Sequence, residues 1–192
     1  ALTVAGHVES PVALSEGPLF RRKFSMVYDT LRHAVIDFDR LWYTLLDCQP
    51  ANSETIAGFE VYGLDTTPNE RPEAETLPER CSLKSQKDDP VRYGHKYSWL
   101  VRLVQWGTSW VAPQDLIRVD PELSDSQGGN LQVKALADRN DQPKVVVEDS
   151  LYGNHIFLRV FHRLKNTFAL VRMRGTNVLY EQPAPRLPGK KG

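Results

Sequence analysis

Two short apolar runs, each closing on an aspartate, constrain this chain more than any other feature. The first is Phe59-Glu-Val-Tyr-Gly-Leu-Asp65, with Pro68-Asn69 just beyond it; the second is Lys144-Val-Val-Val-Glu-Asp149, followed by Ser150-Leu-Tyr-Gly153. β-Branched and aromatic residues in alternation, stopped by turn formers, predict strands. The strands are expected over residues 58–65 and 144–148, each delivering one carboxylate at its C-terminal end. Asp65 and Asp149 stand 84 positions apart, so only the fold can bring them together.

Taken singly, Asp65 reads as a turn-initiating residue and Asp149 as a helix N-cap, both ordinary roles for aspartate. Taken together on adjacent strands they make a divalent-cation site, because Mg²⁺ takes oxygen ligands and is commonly held by one or two carboxylates plus substrate phosphates. Such a site carries two-metal phosphoryl transfer when further carboxylates join it. Glu70 and Glu181 are the available acids, and neither sits in a helical setting. Glu148 alternates to the face opposite Asp149 and is expected to be structural or solvent-exposed.

The rest of the chain supplies a frame for that pair. Ser10-Pro11 opens a short helical turn, with Pro at the first helical position. Phe20, Phe24, Val27, Leu31, Val35, Phe38, Trp42 and Leu45 recur at steps of three and four, predicting one long amphipathic helix that ends near Gln49-Pro50. After the first strand, residues 66–90 are polar and hold Pro68, Pro72, Pro78 and Pro90, which predicts a long loop. Tyr93-Gly-His-Lys96 opens a strong strand through Val104, and the chain turns near Gly107 into a hairpin interrupted at Pro113. Ser124 is a possible cap for a weak helix that Gly128-Gly129 is expected to break. Residues 151–164 predict a second good helix, and residues 167–173 a further strand. Three antiparallel strands followed by helix-separated strands give an α/β class, an RNase H-like mixed sheet flanked by helices and preceded by the long helix. The expected division is a helical segment over residues 1–50, the core over 51–180, and a Pro/Gly/Lys-rich linker over 181–192, as in a fragment of a longer chain.

Charge adds a partner class. The formal net charge is +0, yet from His155 onward eight basic residues face Glu181 alone, whereas residues 115–149 carry eight acids against four bases. A basic C-terminal third beside an acidic centre suits a polyanion held around a cation site, and equally suits solvated charged faces. Arg71, Lys84, Lys96, Arg159, Arg163, Lys165, Arg172 and Arg174 are the candidate phosphate contacts. Cys48 and Cys81 lack the spacing of a zinc site or a disulfide framework and read as reduced thiols. No apolar run is long enough to span a membrane, and the N-terminus lacks the pattern of a signal peptide.

Three blocks carry a resemblance: Val61-Tyr-Gly-Leu-Asp65-Thr-Thr-Pro68, Tyr93-Gly-His-Lys-Tyr97-Ser98, and Val145-Val-Val-Glu-Asp149-Ser-Leu-Tyr-Gly153. In this order they are similar to bacterial insertion-sequence transposases of the DDE superfamily, over most of the chain from about Leu41 onward. The resemblance implies an RNase H-like catalytic domain, Mg²⁺ or Mn²⁺ as cofactor, and cut-and-paste cleavage and transfer of double-stranded DNA at terminal inverted repeats. It implies a cytoplasmic bacterial protein that can pair as a homodimer, with Asp65 and Asp149 as the first two catalytic acids. The family's third acid, a glutamate on a downstream helix, has no counterpart before Gly192, so the chain is expected to be truncated ahead of it. A catalytically inactive DNA-binding remnant and a stand-alone metal-dependent nuclease are the alternatives.

Overall fold

A computed structural model describes residues 11–16, 21, 23, 25–49, 55–83, 90–106 and 109–178. The chain divides into two compact units, Ala1–Cys48 and Gln49–Gly192. In the first, the expected short helical turn is α1 (Pro11–Ser15), and the expected single long helix is two separate ones, α2 (Ser25–His33) and α3 (Phe38–Asp47). The break between α2 and α3 is chemical. Asp37 adopts an extended conformation and its side chain accepts from the Arg40 N–H at 3.0 Å, an N-cap that starts a new helix rather than continuing the old one. Val35, read as part of the apolar stripe, lies in the break and is 97% exposed. Phe20 and Phe24 lie outside the described residues.

The second unit holds a six-stranded mixed sheet. β1 (Glu60–Glu70) lies between β3 (Tyr93–Trp106), antiparallel to it, and β5 (Lys144–Glu148), parallel to it. β2 (Cys81–Ser82) and β4 (Ser109–Val119) both pair with the far edge of β3, and β6 (Thr167–Val171) runs parallel to β5. A meander followed by two helix-linked parallel strands, with the first strand central, is the RNase H-like arrangement the element order predicts. Pro113 produces the expected irregularity, a register shift where Leu100 pairs with Asp115 but Val101 with Pro113.

β1 does not stop at Asp65. It continues five residues to Glu70, paired with β3 from Thr66↔Ser98 to Glu70↔Gly94, so the expected loop begins later than its composition implies. Pro68 is tolerated because β1 meets β5 only over Glu60 to Gly63; beyond that point its second edge is unpaired. Residues 71–80 are pinned as well. Arg80 donates to the carbonyls of Arg71 and Pro72 and stacks on Tyr93, while His95 Nε2 lies 2.9 Å from the Pro78 carbonyl oxygen. At the Glu70↔Gly94 pair a Cβ on residue 94 would come 2.0 Å from the Asn69 carbonyl oxygen. Gly94→Ala is therefore expected to lose roughly 1–3 kcal/mol by urea denaturation, more than the gain from a stiffer unfolded chain. An unchanged midpoint would mean the two strands part there without cost.

One face of the sheet is covered by α4 (Asp125–Ala137) and α5 (His155–Phe161). Tyr62, Leu64, Leu100 and Val146 of the sheet pack there with Val133, Leu136, Tyr152 and Phe157. α4 opens on a capping box, Ser124 with Gln127, and runs unbroken through Gly128-Gly129. The expected breaker is a packing device. A Cβ on residue 129 would lie 2.8 Å from Leu64 Cδ2 and 3.0 Å from Tyr152 Cε1, so glycine lets the helix backbone settle on the core. α5 is shorter than predicted, because residues 149–154 form a turn that ends in the N-cap Asn154, which accepts from the Phe157 N–H at 3.1 Å.

Candidate active site

Strand alternation fixes which side chains share a face. In β1, Tyr62 and Leu64 are buried toward the helices and Asp65 is exposed on the other side; in β5, Val146 and Glu148 are buried and Asp149 emerges beyond them. The parallel register ends at Gly63↔Val147, so Asp65 and Asp149 each stand two residues past the last pair. Both therefore lie at one level on the sheet face that α4 and α5 leave uncovered. They line a single cleft of ≈ 520 Å³, together with Gly63, Trp99, Val101 and Arg172.

The electrostatics agree with that proximity. Asp65 is held above the usual carboxylate range, first by burial and further by the negative charge of Asp149, against a backbone hydrogen bond from Thr66 that lowers it. Each carboxylate has one oxygen engaged locally: Asp65 Oδ1 accepts from the Thr66 N–H at 2.8 Å, and Asp149 Oδ1 from the Leu151 N–H at 2.7 Å. Each Oδ2 has no protein donor among the described residues. Two mutually repelling carboxylates with one oxygen apiece left over are the oxygen donors that could hold a hard divalent cation, which takes carboxylate, water and phosphate oxygens. Among the described residues no third His, Cys, Asp or Glu joins them.

A buried scaffold sets the position of Asp149. Thr66 Oγ1 lies 2.7 Å from the fully buried Tyr152 hydroxyl, tying β1 to the turn that follows Asp149. Burial pushes that phenol up to about 12, so it stays protonated at neutral pH. Asn154 Nδ2 donates to Ser126 Oγ at 2.7 Å and to the Leu151 carbonyl at 2.9 Å, fastening the same turn to α4. Asp149 is thus an Asx-type turn residue, and the N-cap of α5 falls to Asn154.

The candidate phosphate contacts separate into groups. Arg172 lines the cleft, and Arg174 follows β6 at the same end of the sheet. Lys165 precedes β6, at the opposite end, where Thr167 pairs with Lys144. Arg159 and Arg163 lie on and just after α5, with the helix layer rather than at the cleft. Lys96 is ion-paired with Asp125 at the start of α4, 3.0 Å away. Arg71 is exposed and its carbonyl accepts from Arg80, while Lys84 lies outside the described residues. Glu70 is ion-paired with Arg92, and Glu181 lies outside the described residues.

Beside the pair, Trp99 carries no sequence signal of its own, and Glu148, expected to be structural or solvent-exposed, is found buried. Trp99, 38% exposed, sits directly across β3 from Asp65 in the Asp65↔Trp99 pair; alternation counted from Asp65 through the hairpin would have found it once the register was known. Glu148 is neither exposed nor engaged. It is 5% exposed, among the described residues neither carboxylate oxygen has a hydrogen-bond partner, and burial alone pushes its carboxyl up to about 9.

No family model matches the chain, and no curated protein matches it. Among solved structures it is similar to a chain of the piggyBac transposase synaptic complex with hairpin DNA, at TM-score 0.44 and 11% identity, over 81% of this chain and 31% of that one. It is also similar to a chain of the simian T-cell lymphotropic virus intasome in complex with PP2A regulatory subunit B56 gamma, at TM-score 0.36 and 12% identity, over 86% of this chain and 52% of that one. The chain thus spans about a third and about half of the lengths it matches.

Proposed function

We propose that this chain is a catalytic-core segment of a DDE-type DNA transposase, with Asp65 and Asp149 as ligands of Mg²⁺ or Mn²⁺ and double-stranded DNA as substrate. The observation that carries the reading is the in-register placement of two remote carboxylates, each keeping an unengaged oxygen, in one cleft on the open sheet face. A bound divalent ion would supply charge neutralisation at the scissile phosphate and an activated oxygen nucleophile. The chain's own residues orient and select. Asp65 and Asp149 present oxygens from two rigid strands, Arg172 offers a cation to a neighbouring phosphate, and Trp99 offers an aromatic face on which an unpaired base can stack.

The test is nicking of a supercoiled plasmid, and of a duplex ending in a terminal inverted repeat, in Mg²⁺, in Mn²⁺ and in EDTA, with Asp149→Asn as control. Metal-dependent cleavage lost in Asp149→Asn supports the assignment; cleavage that persists in that variant sinks it. DNA binding without cleavage would return the inactive remnant, for which the lack of a third carboxylate among the described residues speaks. Cleavage without strand joining would make the chain a nuclease.

A further inference from the structure

The helix layer carries a second surface whose chemistry differs from that of the cleft. Between α4 and α5 lies a groove of ≈ 160 Å³ lined by Lys134, Ile156, Arg159, Val160, Arg163 and Leu164. Ile156, Val160 and Leu164 recur at steps of four and form its apolar wall, with Ile156 42% exposed. Lys134, Arg159 and Arg163 are exposed around it, and among the described residues none has an ion-pair partner. Asp138, one turn beyond Lys134, does not pair with it. Complementing the helix C-termini accounts for Lys134 or Arg159 singly, since each is the basic residue of its helix's last turn. It does not account for three cations converging on one apolar groove.

We infer that this groove docks an acidic peptide segment of a partner protein, one that buries one or two apolar side chains between α4 and α5 and pairs its carboxylates with Lys134, Arg159 and Arg163. Charge complementarity selects an anion, and the apolar wall selects which kind. A nucleic-acid backbone has nothing to place against Ile156, Val160 and Leu164, and the lining holds no aromatic ring for a base to stack on. An amphipathic acidic segment satisfies both halves of the groove at once. The site lies on the helix-covered side of the sheet, whereas Asp65 and Asp149 lie on the uncovered side, so its occupation leaves the cleft open.

The experiment uses the full chain and a fluorescein-labelled peptide of repeating Glu-Glu-Leu-Leu, read by fluorescence anisotropy at about 0.15 M salt. Binding is expected, weakened about tenfold or more by Arg159→Glu with Arg163→Glu and by Val160→Asp, and unaffected by Arg172→Glu. A Glu-Glu-Ser-Ser peptide is expected to bind at least about tenfold more weakly, because it lacks the apolar half. The two arginines are exposed, so the fold is expected to survive their substitution with at most a small fall in melting temperature from an acid in the last turn of α5, which a thermal melt verifies. Equal binding of the two peptides overturns the inference, as does binding that survives both sets of substitutions. So does duplex DNA bound through Arg159 and Arg163, which would make this a phosphate surface. A concentration-dependent dimer abolished by Arg159→Glu overturns it too, by assigning the groove to a second copy of the chain.

Discussion

Asp65→Asn is expected to lower divalent-dependent DNA cleavage by roughly 10³-fold or more, while the melting temperature in EDTA stays the same or rises. The two halves of that result have different causes. Asn keeps the Oδ1 acceptor that Asp65 offers to the Thr66 N–H, and the site is exposed on the sheet face, so the strand loses no internal bond. What it loses is charge. In the parent chain Asp65 and Asp149 repel each other, and burial adds a desolvation cost to ionised Asp65. A neutral amide relieves both, which is why metal-free stability should not fall. In Mg²⁺ the order is expected to reverse: a cation binding the folded state through both carboxylates raises the parent's melting temperature, and this rise should be absent in Asp65→Asn. Thermal melts in EDTA and in 10 mM Mg²⁺, run beside the cleavage assay, separate a lost ligand from a damaged fold. A variant that melts well below the parent in EDTA would make Asp65 a structural residue and remove the reason for assigning it to the metal.

What could be read from the sequence tracks the range of the interactions involved. The strand ending just before Asp149 is legible because Val145, Val146 and Val147 carry β propensity locally. That Asp65 and Asp149 share a face and a level depends on a parallel register, which pairwise strand contacts decide and no local pattern records. The N-terminal helix break was hidden because Val35 and Phe38 continue the apolar period while Asp37, the cap, is a polar residue of the kind that also sits on a helix surface. Gly128-Gly129 misled for the opposite reason. Its local cost to a helix is real, about 1 kcal/mol per residue, but contact with Leu64, Val119 and Tyr152 across the core outweighs it. Net charge counted along the C-terminal third likewise joined groups that the fold separates, since α5 carries Arg159 to the helix layer and the end of β6 leaves Arg172 at the cleft.

Glu148 gives the steepest pH dependence expected of the fold. Its carboxyl is pushed from 4.5 to about 9 by burial alone, and among the described residues no donor hydrogen-bonds to it to stabilise the anion. Below about pH 4.5 the side chain is protonated folded or unfolded, and burial costs no ionic desolvation. Between about 4.5 and 9 the unfolded chain gives up the proton that the folded chain keeps, so folding takes up a proton and stability falls by up to about 1.4 kcal/mol per pH unit. Above 9 both states are ionised and the loss is complete, on the order of several kcal/mol in all. Asp65, also raised, adds a smaller loss of the same sign, and comparison with a variant at position 148 cancels it. Glu148→Met removes the titration and leaves no buried polar atom in its place, whereas Glu148→Gln removes the titration but keeps an unpartnered amide. Urea denaturation from pH 5 to pH 9 in EDTA should therefore show the parent losing stability steadily. Glu148→Met is expected to match the parent or exceed it slightly near pH 5 and to pull ahead by several kcal/mol by pH 9, with Glu148→Gln parallel to it and lower. Parallel profiles for the parent and Glu148→Met would mean that the carboxyl reaches water or a partner in solution, and that the wall of the cleft behind Asp149 is less dry than its contacts imply.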